Sequence, residues 1–413
     1  MSRLPPGSFS TRSCVTTDPL LVAYAGLLGA AIGSFLNVCI LRWAAEPKQS
    51  VVRPPSRCPK CGRGLRWYDN IPVVSWLLLR GRCRGCGEPI SMQYPLVELA
   101  TALLWAFMAW RFGFGLEALK GAVFATILLG IAMTDARAYI IPHEFSLGGT
   151  VIALAFAAAL GSGLPGVREA LVGACFGAGL VLLVGEVSEM LAGQEAMGGG
   201  DCALMGMVGA FYGWEAVVPV VGVGAAISVV LYLLASLRPR PPAAAAEAAG
   251  VGEQGHSLRW GMLLKLLLAG GGLILAMVAA MRARVLGGVL QAGFDGTVAA
   301  GLVYYAAFLA PTGLQGRWLR VVGLLGAAAG VAFGGGLSPV RLAAGIVLAA
   351  AALWYARRVS VAESPATAEE LTAGGYLPFG VGLSLAAGLL ALMDAYPGIR
   401  SGVAGYLQLL GVS

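Results

Sequence analysis

Charge is scarce in this chain. Of 413 residues only 12% are charged and 58% are hydrophobic, with a mean hydropathy of +0.79. That scarcity excludes a soluble globular protein, because repeated apolar runs of about 18 or more residues read as membrane helices. Histidine is nearly absent too: His143 and His256 are the two present. His143-Glu144-Phe-Ser-Leu147 begins like the zinc-protease pattern H-E-x-x-H but carries Leu at the second ligand position, so that metal site cannot form. No serine sits in a G-x-S-x-G elbow. No aromatic-interleaved basic patch suggests nucleic acid, and no regular 20–50-residue repeat is present. The first apolar run, Leu20–Leu41, is long for a signal peptide and lacks a clear cleavage site, so it reads as a retained helix.

What remains is an all-α polytopic membrane protein. A polar tail (1–19) precedes the first transmembrane helix (20–42), and a polar loop follows (43–94). That loop carries nine basic residues against Glu46, Asp69 and Glu88. A Lys/Arg excess between two spans places it in the cytoplasm. Spans follow near Pro95–Trp110, Leu119–Thr134, Phe145–Leu160 and Val167–Glu189, then a hairpin of Cys202–Tyr212 and Val217–Leu234. Residues 95–236 thus form a membrane core. A Pro/Ala/Gly linker opens an insertion, 237–375, with four further apolar runs, and 376–413 adds a closing span. An insertion whose ends share one face must cross an even number of times, as two hairpins would.

Two acids stand out at the ends of spans: Asp135, in Ile131-Ala-Met-Thr-Asp135-Ala-Arg137, and Asp201, in Met197-Gly198-Gly199-Gly200-Asp201. A carboxylate there is costly, which marks it as functional. Counting crossings from the loop puts both on the cytoplasmic face. Paired carboxylates cannot both ionise, so one serves as base and the other as acid; the pattern points to an aspartic protease. An ion pair of Asp135 with Arg137 is the competing reading, and an ion-coupled transporter is the competing class. Gly198 and Gly200 read as turn or substrate-approach positions, as does Pro142 after the first acid.

In the loop, Cys58-Pro-Lys-Cys61 and Cys83-Arg-Gly-Cys86 stand 21 residues apart. Two such knuckles supply four thiolates to one structural zinc, with no open position for catalytic water. In the first helix Asn37 needs a partner, either a neighbouring helix or a substrate or cofactor, and Glu98 is an acid inside an apolar run.

Together these motifs resemble the prepilin peptidases (type IV leader peptidases), GxGD-type aspartic proteases of bacterial inner membranes. The residues carrying the likeness are Gly33-Ser-Phe-Leu-Asn37-Val, the double CxxC, Tyr94-Pro-Leu-Val-Glu98, Asp135 with Pro142, Gly198-Gly-Gly-Asp201 and Leu377-Pro-Phe-Gly380. The resemblance implies about eight family helices, with about four more in the insertion. It implies Asp135 and Asp201 as catalytic residues, and cleavage of leaders from type IV prepilins or type II secretion pseudopilins, typically between Gly and Phe. It further implies N-methylation of the new terminus with S-adenosylmethionine, for which Gly33, Asn37 and Glu98 are candidates; a peptidase-only member is the alternative. The chain departs from the family's usual residues at Gln93, His143 and Ala203.

Overall fold

In the computed structural model the described residues are 18–45, 47–161, 163–192 and 198–236, with short pieces at 295, 297–302, 304–305, 383–384 and 386–388. Residues 1–17 of the tail, most of the insertion, Met197 and Leu377-Pro-Phe-Gly380 lie outside them. Eight α-helices are described: α1 (Pro19–Trp43), α2 (Val74–Leu78), α3 (Gln93–Phe112), α4 (Leu116–Ala138), α5 (His143–Leu160), α6 (Leu164–Ala192), α7 (Gly199–Tyr212) and α8 (Trp214–Ser236). Five of them, α1, α3, α4, α5 and α6, are long and apolar enough to cross a bilayer. This is a mostly helical, multi-pass membrane protein.

The chain divides into two units. One comprises Met1–Cys39 and Ser50–Thr126; the other comprises Ile40–Gln49 and Ile127–Ser413. In the first unit, α1 and α3 touch through glycine: a Cβ on Gly33 would lie 2.8 Å from the Glu98 Cα, and one on Gly29 2.7 Å from the Thr101 carbonyl. Small residues permit such approach where lipid offers helices no hydrophobic drive to associate.

The second unit is built around α7. Every residue from Asp201 to Phe211 is buried, although at 14 residues this helix is only about 21 Å long, short of a roughly 30 Å hydrocarbon core. It is a helix wrapped by protein rather than by lipid. Its closest neighbour is α6: a Cβ on Gly177 would strike the Met205 carbonyl, and Gly173 and Gly209 would each strike the other's carbonyl. A side chain cannot be absorbed where backbone meets backbone. Gly177→Leu is therefore expected to cost more than the roughly 1–3 kcal/mol of ordinary core overpacking. Protease resistance of the detergent-purified protein checks this; wild-type resistance would show the contact to be unimportant.

Sequence periodicity sets the hairpin's start at Cys202, but the helix begins at Gly199. Asp201 thus lies in the first helical turn rather than ahead of it. Gly198 is extended (φ −84°, ψ 161°) and caps the helix. None of the three glycines takes a positive φ, so conformational freedom is not why they are there. Gly200 is instead needed for closeness: its Cβ would sit 2.9 Å from the Ile141 Cβ.

Candidate active site and thiolate cluster

Asp135 occupies the last turn of α4, which ends at once. The Tyr139 N–H donates to the Asp135 carbonyl at 2.9 Å, and Tyr139 itself is left-handed with φ 54°. A non-glycine residue there carries a cost of about 1 kcal/mol, which is tolerated to turn the chain within four residues of the acid. Pro142 then caps α5 (φ −63°, ψ 130°), a turn role with no substrate needed to explain it. Near the same turn Lys48 pairs with Glu144 at 2.9 Å, and Trp43 packs edge-on against Phe145 at 4.7 Å.

Asp201 arrives from α7. The Gly198 N–H donates to its Oδ2 at 3.2 Å, and its own N–H donates to the Gly198 carbonyl at 3.1 Å. That reciprocal pair fixes the carboxylate against its own helix start. Asp135 is 4% exposed and Asp201 6%, and they lie close enough for the charge on Asp135 to act on Asp201. The structure therefore brings the two acids together across 66 residues of sequence. Asp135 is buried, whereas Arg137 two residues on is exposed. Two buried carboxyls within electrostatic reach of each other are the arrangement that an acid–base pair requires.

Gly33, Asn37 and Glu98 also converge, in the first unit. Asn37 is fully buried; its amide nitrogen donates to the carbonyls of Gly33 (3.3 Å) and Tyr94 (3.2 Å), and its oxygen accepts from Gln93 Nε2 at 3.4 Å. Glu98 accepts the Val73 N–H at 2.7 Å and a hydrogen bond from Ser34. Of the two readings of Asn37, helix-to-helix bonding is the one the contacts display. The Glu98 bond was not legible beforehand. It lands on Val73, one of the described non-glycine residues with a positive φ (60°).

The four loop cysteines form one cluster, with their sulfur atoms all within 4.8 Å of one another. Each knuckle is a small hairpin of the same design. Cys58 N–H donates to the Arg63 carbonyl and Gly62 N–H to that of Cys58; Cys83 and Gly87 repeat this with Glu88 and Cys83. Gly62 (φ 69°) and Gly87 (φ 74°) close the turns, a conformation that favours glycine. These residues can hold a metal ion. The repeat of 56–65 at 81–90 is visible in the sequence as Cys-x-x-Cys-Gly, but two copies make no regular period.

The sequence pattern described as "Bacterial Peptidase A24 N-terminal domain" matches residues 27–112, and that described as "Type IV leader peptidase family" matches residues 122–236. Relatives named prepilin leader peptidase/N-methyltransferase match the chain, among them the following three. The one from Myxococcus xanthus is 42% identical over 226 residues, covering 54% of this chain and 66% of that protein. That from Xanthomonas campestris is 35% identical, covering 51% and 79%, and that from Neisseria gonorrhoeae 33%, covering 52% and 82%. No solved structure matches the chain. Identity at this level over most of a relative's length, on motifs that meet in space, settles kinship: the chain belongs to the type IV leader peptidase family.

Proposed function

We propose that this protein is a bifunctional enzyme of the bacterial inner membrane. It cleaves the leader from type IV prepilins or type II secretion pseudopilins at the cytoplasmic face, then N-methylates the exposed terminus. The observation that carries the reading is the meeting of two buried carboxyls, Asp135 and Asp201, at the ends of α4 and α7. The names of the relatives agree with it.

The chemistry follows from one shared proton. The ionised member of the pair takes a proton from water as the oxygen adds to the scissile carbonyl carbon. The protonated member gives its proton to the carbonyl oxygen, yielding a gem-diol. Collapse of the diol breaks the C–N bond; the leaving nitrogen gains a proton, and the pair returns to its starting state. The products are a leader carboxylate and a pilin amine.

Methylation belongs to the first unit. S-adenosylmethionine, when bound, supplies an electrophilic methyl group for that amine. Gly33, Asn37 and Glu98, with Gln93, gather amide and carboxylate groups of the kind that recognise an amino-acid end. The loop cysteines suit zinc: a tetrahedral tetrathiolate with bonds of about 2.3 Å sets sulfurs about 3.8 Å apart, and Cys58 and Cys86 stand at 3.8 Å. All four positions are thiolate, so the metal's role is structural. The Lys/Arg excess of the loop supports a cytoplasmic side for the zinc site and both aspartates. Beyond the described helices, the closing segment 376–413 completes about eight family spans, and residues 237–375 form an inserted module of about four.

The test is co-expression with a pilin-like precursor. Leader loss on a gel, with a terminal mass one methyl group heavier, is the expected result. An intact leader would sink the reading, and a cleaved but unmethylated product would leave the peptidase alone.

A further inference from the structure

The matched peptidase sequence ends at residue 236, yet one contact at the candidate active site comes from beyond it. Tyr304, 105 residues from Gly199 in sequence, donates its hydroxyl to the Gly199 carbonyl at 2.7 Å. Gly199 opens the helix turn that carries Asp201. We infer that Tyr304 is a positioning residue for cleavage, clamping the Gly-rich turn from the inserted region and so setting where the Asp201 carboxyl stands.

The need for a clamp follows from the turn itself. Gly199 and Gly200 have no side chains, so they lose more freedom than other residues when ordered. Among the described residues no atom beyond the turn's own backbone lies within 4 Å of a Cβ built on Gly199. Gly200 is backed by Ile141 on one side, and the Gly198 N–H bond ties Asp201 to the cap without fixing the turn to its surroundings. Tyr304 supplies that missing attachment.

The donor is firmly seated. Tyr304 is 1% exposed, and its ring stacks edge-on against Tyr305 at 5.4 Å. The segment bearing both is pressed onto the core by glycine. A Cβ on Gly301 would strike the Cys175 carbonyl of α6, and one on Gly179 the Thr297 carbonyl. On α7 a Cβ on Gly206 would strike the Tyr305 hydroxyl. Thus α6 offers one set of glycines to α7 and another to this segment. Backbone-to-backbone seating gives the hydroxyl little room to wander.

The inference rests on the proposed peptidase activity and concerns that same site. Tyr304→Phe keeps the ring and removes the donor. Loss of one buried hydrogen bond that holds reacting geometry should lower the cleavage kcat about 5–10-fold with KM unchanged. The pH profile decides between positioning and mere folding. A displaced carboxyl changes the macroscopic titration of the pair, so the optimum should move by about half a pH unit. A smaller folded fraction would scale the whole profile without moving it. Tyr305→Phe, which removes the neighbouring hydroxyl, should cleave within about twofold of wild type. Wild-type rate and profile in Tyr304→Phe, beside an active wild type, would overturn this inference alone. So would equal losses in the two variants with no shift in profile. A wild type that never removes the leader would overturn the peptidase reading, and this one with it.

Discussion

Asp201→Asn and Asp135→Asn should each lower leader cleavage by roughly 10³–10⁴-fold, while the protein still inserts and can be purified. Asn matches Asp in shape, so the helix ends at Tyr139 and Gly198 keep their form, but it can neither take nor give the proton. The double variant should be no slower than either single one. Two groups that share one proton act as a unit, and losing one already stops the cycle. Cleavage should also follow a bell-shaped pH profile: in acid both carboxyls are protonated and no base remains, whereas in alkali both are ionised and no acid remains. Measuring cleavage of a purified precursor in detergent at matched enzyme concentration checks both points. If either single variant kept even a tenth of wild-type activity, the two-carboxyl mechanism would fail.

The pair was legible because membrane burial makes charge conspicuous. An Asp at the end of an apolar run is rare enough to notice. The four cysteines were equally plain, since thiolate ligands need only local spacing to be recognised. Helix edges were less so: Gly198-Gly-Gly-Asp201 looks like a turn, but two of its glycines are helical, and Gly200 serves close packing. Residue type alone does not reveal which neighbour a glycine admits. Long-range partners were invisible for the same reason. The bonds from the Val73 N–H to Glu98 and from Tyr304 to Gly199 leave no trace in periodicity. A hint did exist for the second: Tyr304 and Tyr305 lie within an apolar run, where a phenol needs a partner.

Removing the metal should open the cysteine loop to trypsin. Between Ser56 and Ile90 little is packed: Trp67 is 80% exposed, Leu65 43% and Leu78 77%, whereas Cys58 is buried. A segment this small, without a core, needs a staple. The pairs between Lys60 and Glu88 and between Arg84 and Asp69 tie its halves together, but an ion pair with an exposed cation contributes little. The crowded sulfurs suit a cation. Backbone N–H groups of Cys61 and Lys60 lower Cys58 to about 6. The Glu88 N–H favours the Cys86 thiolate, yet desolvation and the neighbouring thiols push Cys86 up to about 11. Four thiolates cannot coexist there at neutral pH unless a metal ion neutralises them. Purified protein should hold about one zinc per chain. Cys58→Ser with Cys61→Ser should abolish it, and acid should release it as protons displace the metal from the thiolates. Arg57, Lys60, Arg63, Arg66, Arg80, Arg82 and Arg84 lie in the loop, so its loosening should appear on a gel as cuts between the first two apolar helices. Zinc-free protein whose loop resists trypsin as well as the loaded form would show that the cluster holds nothing together.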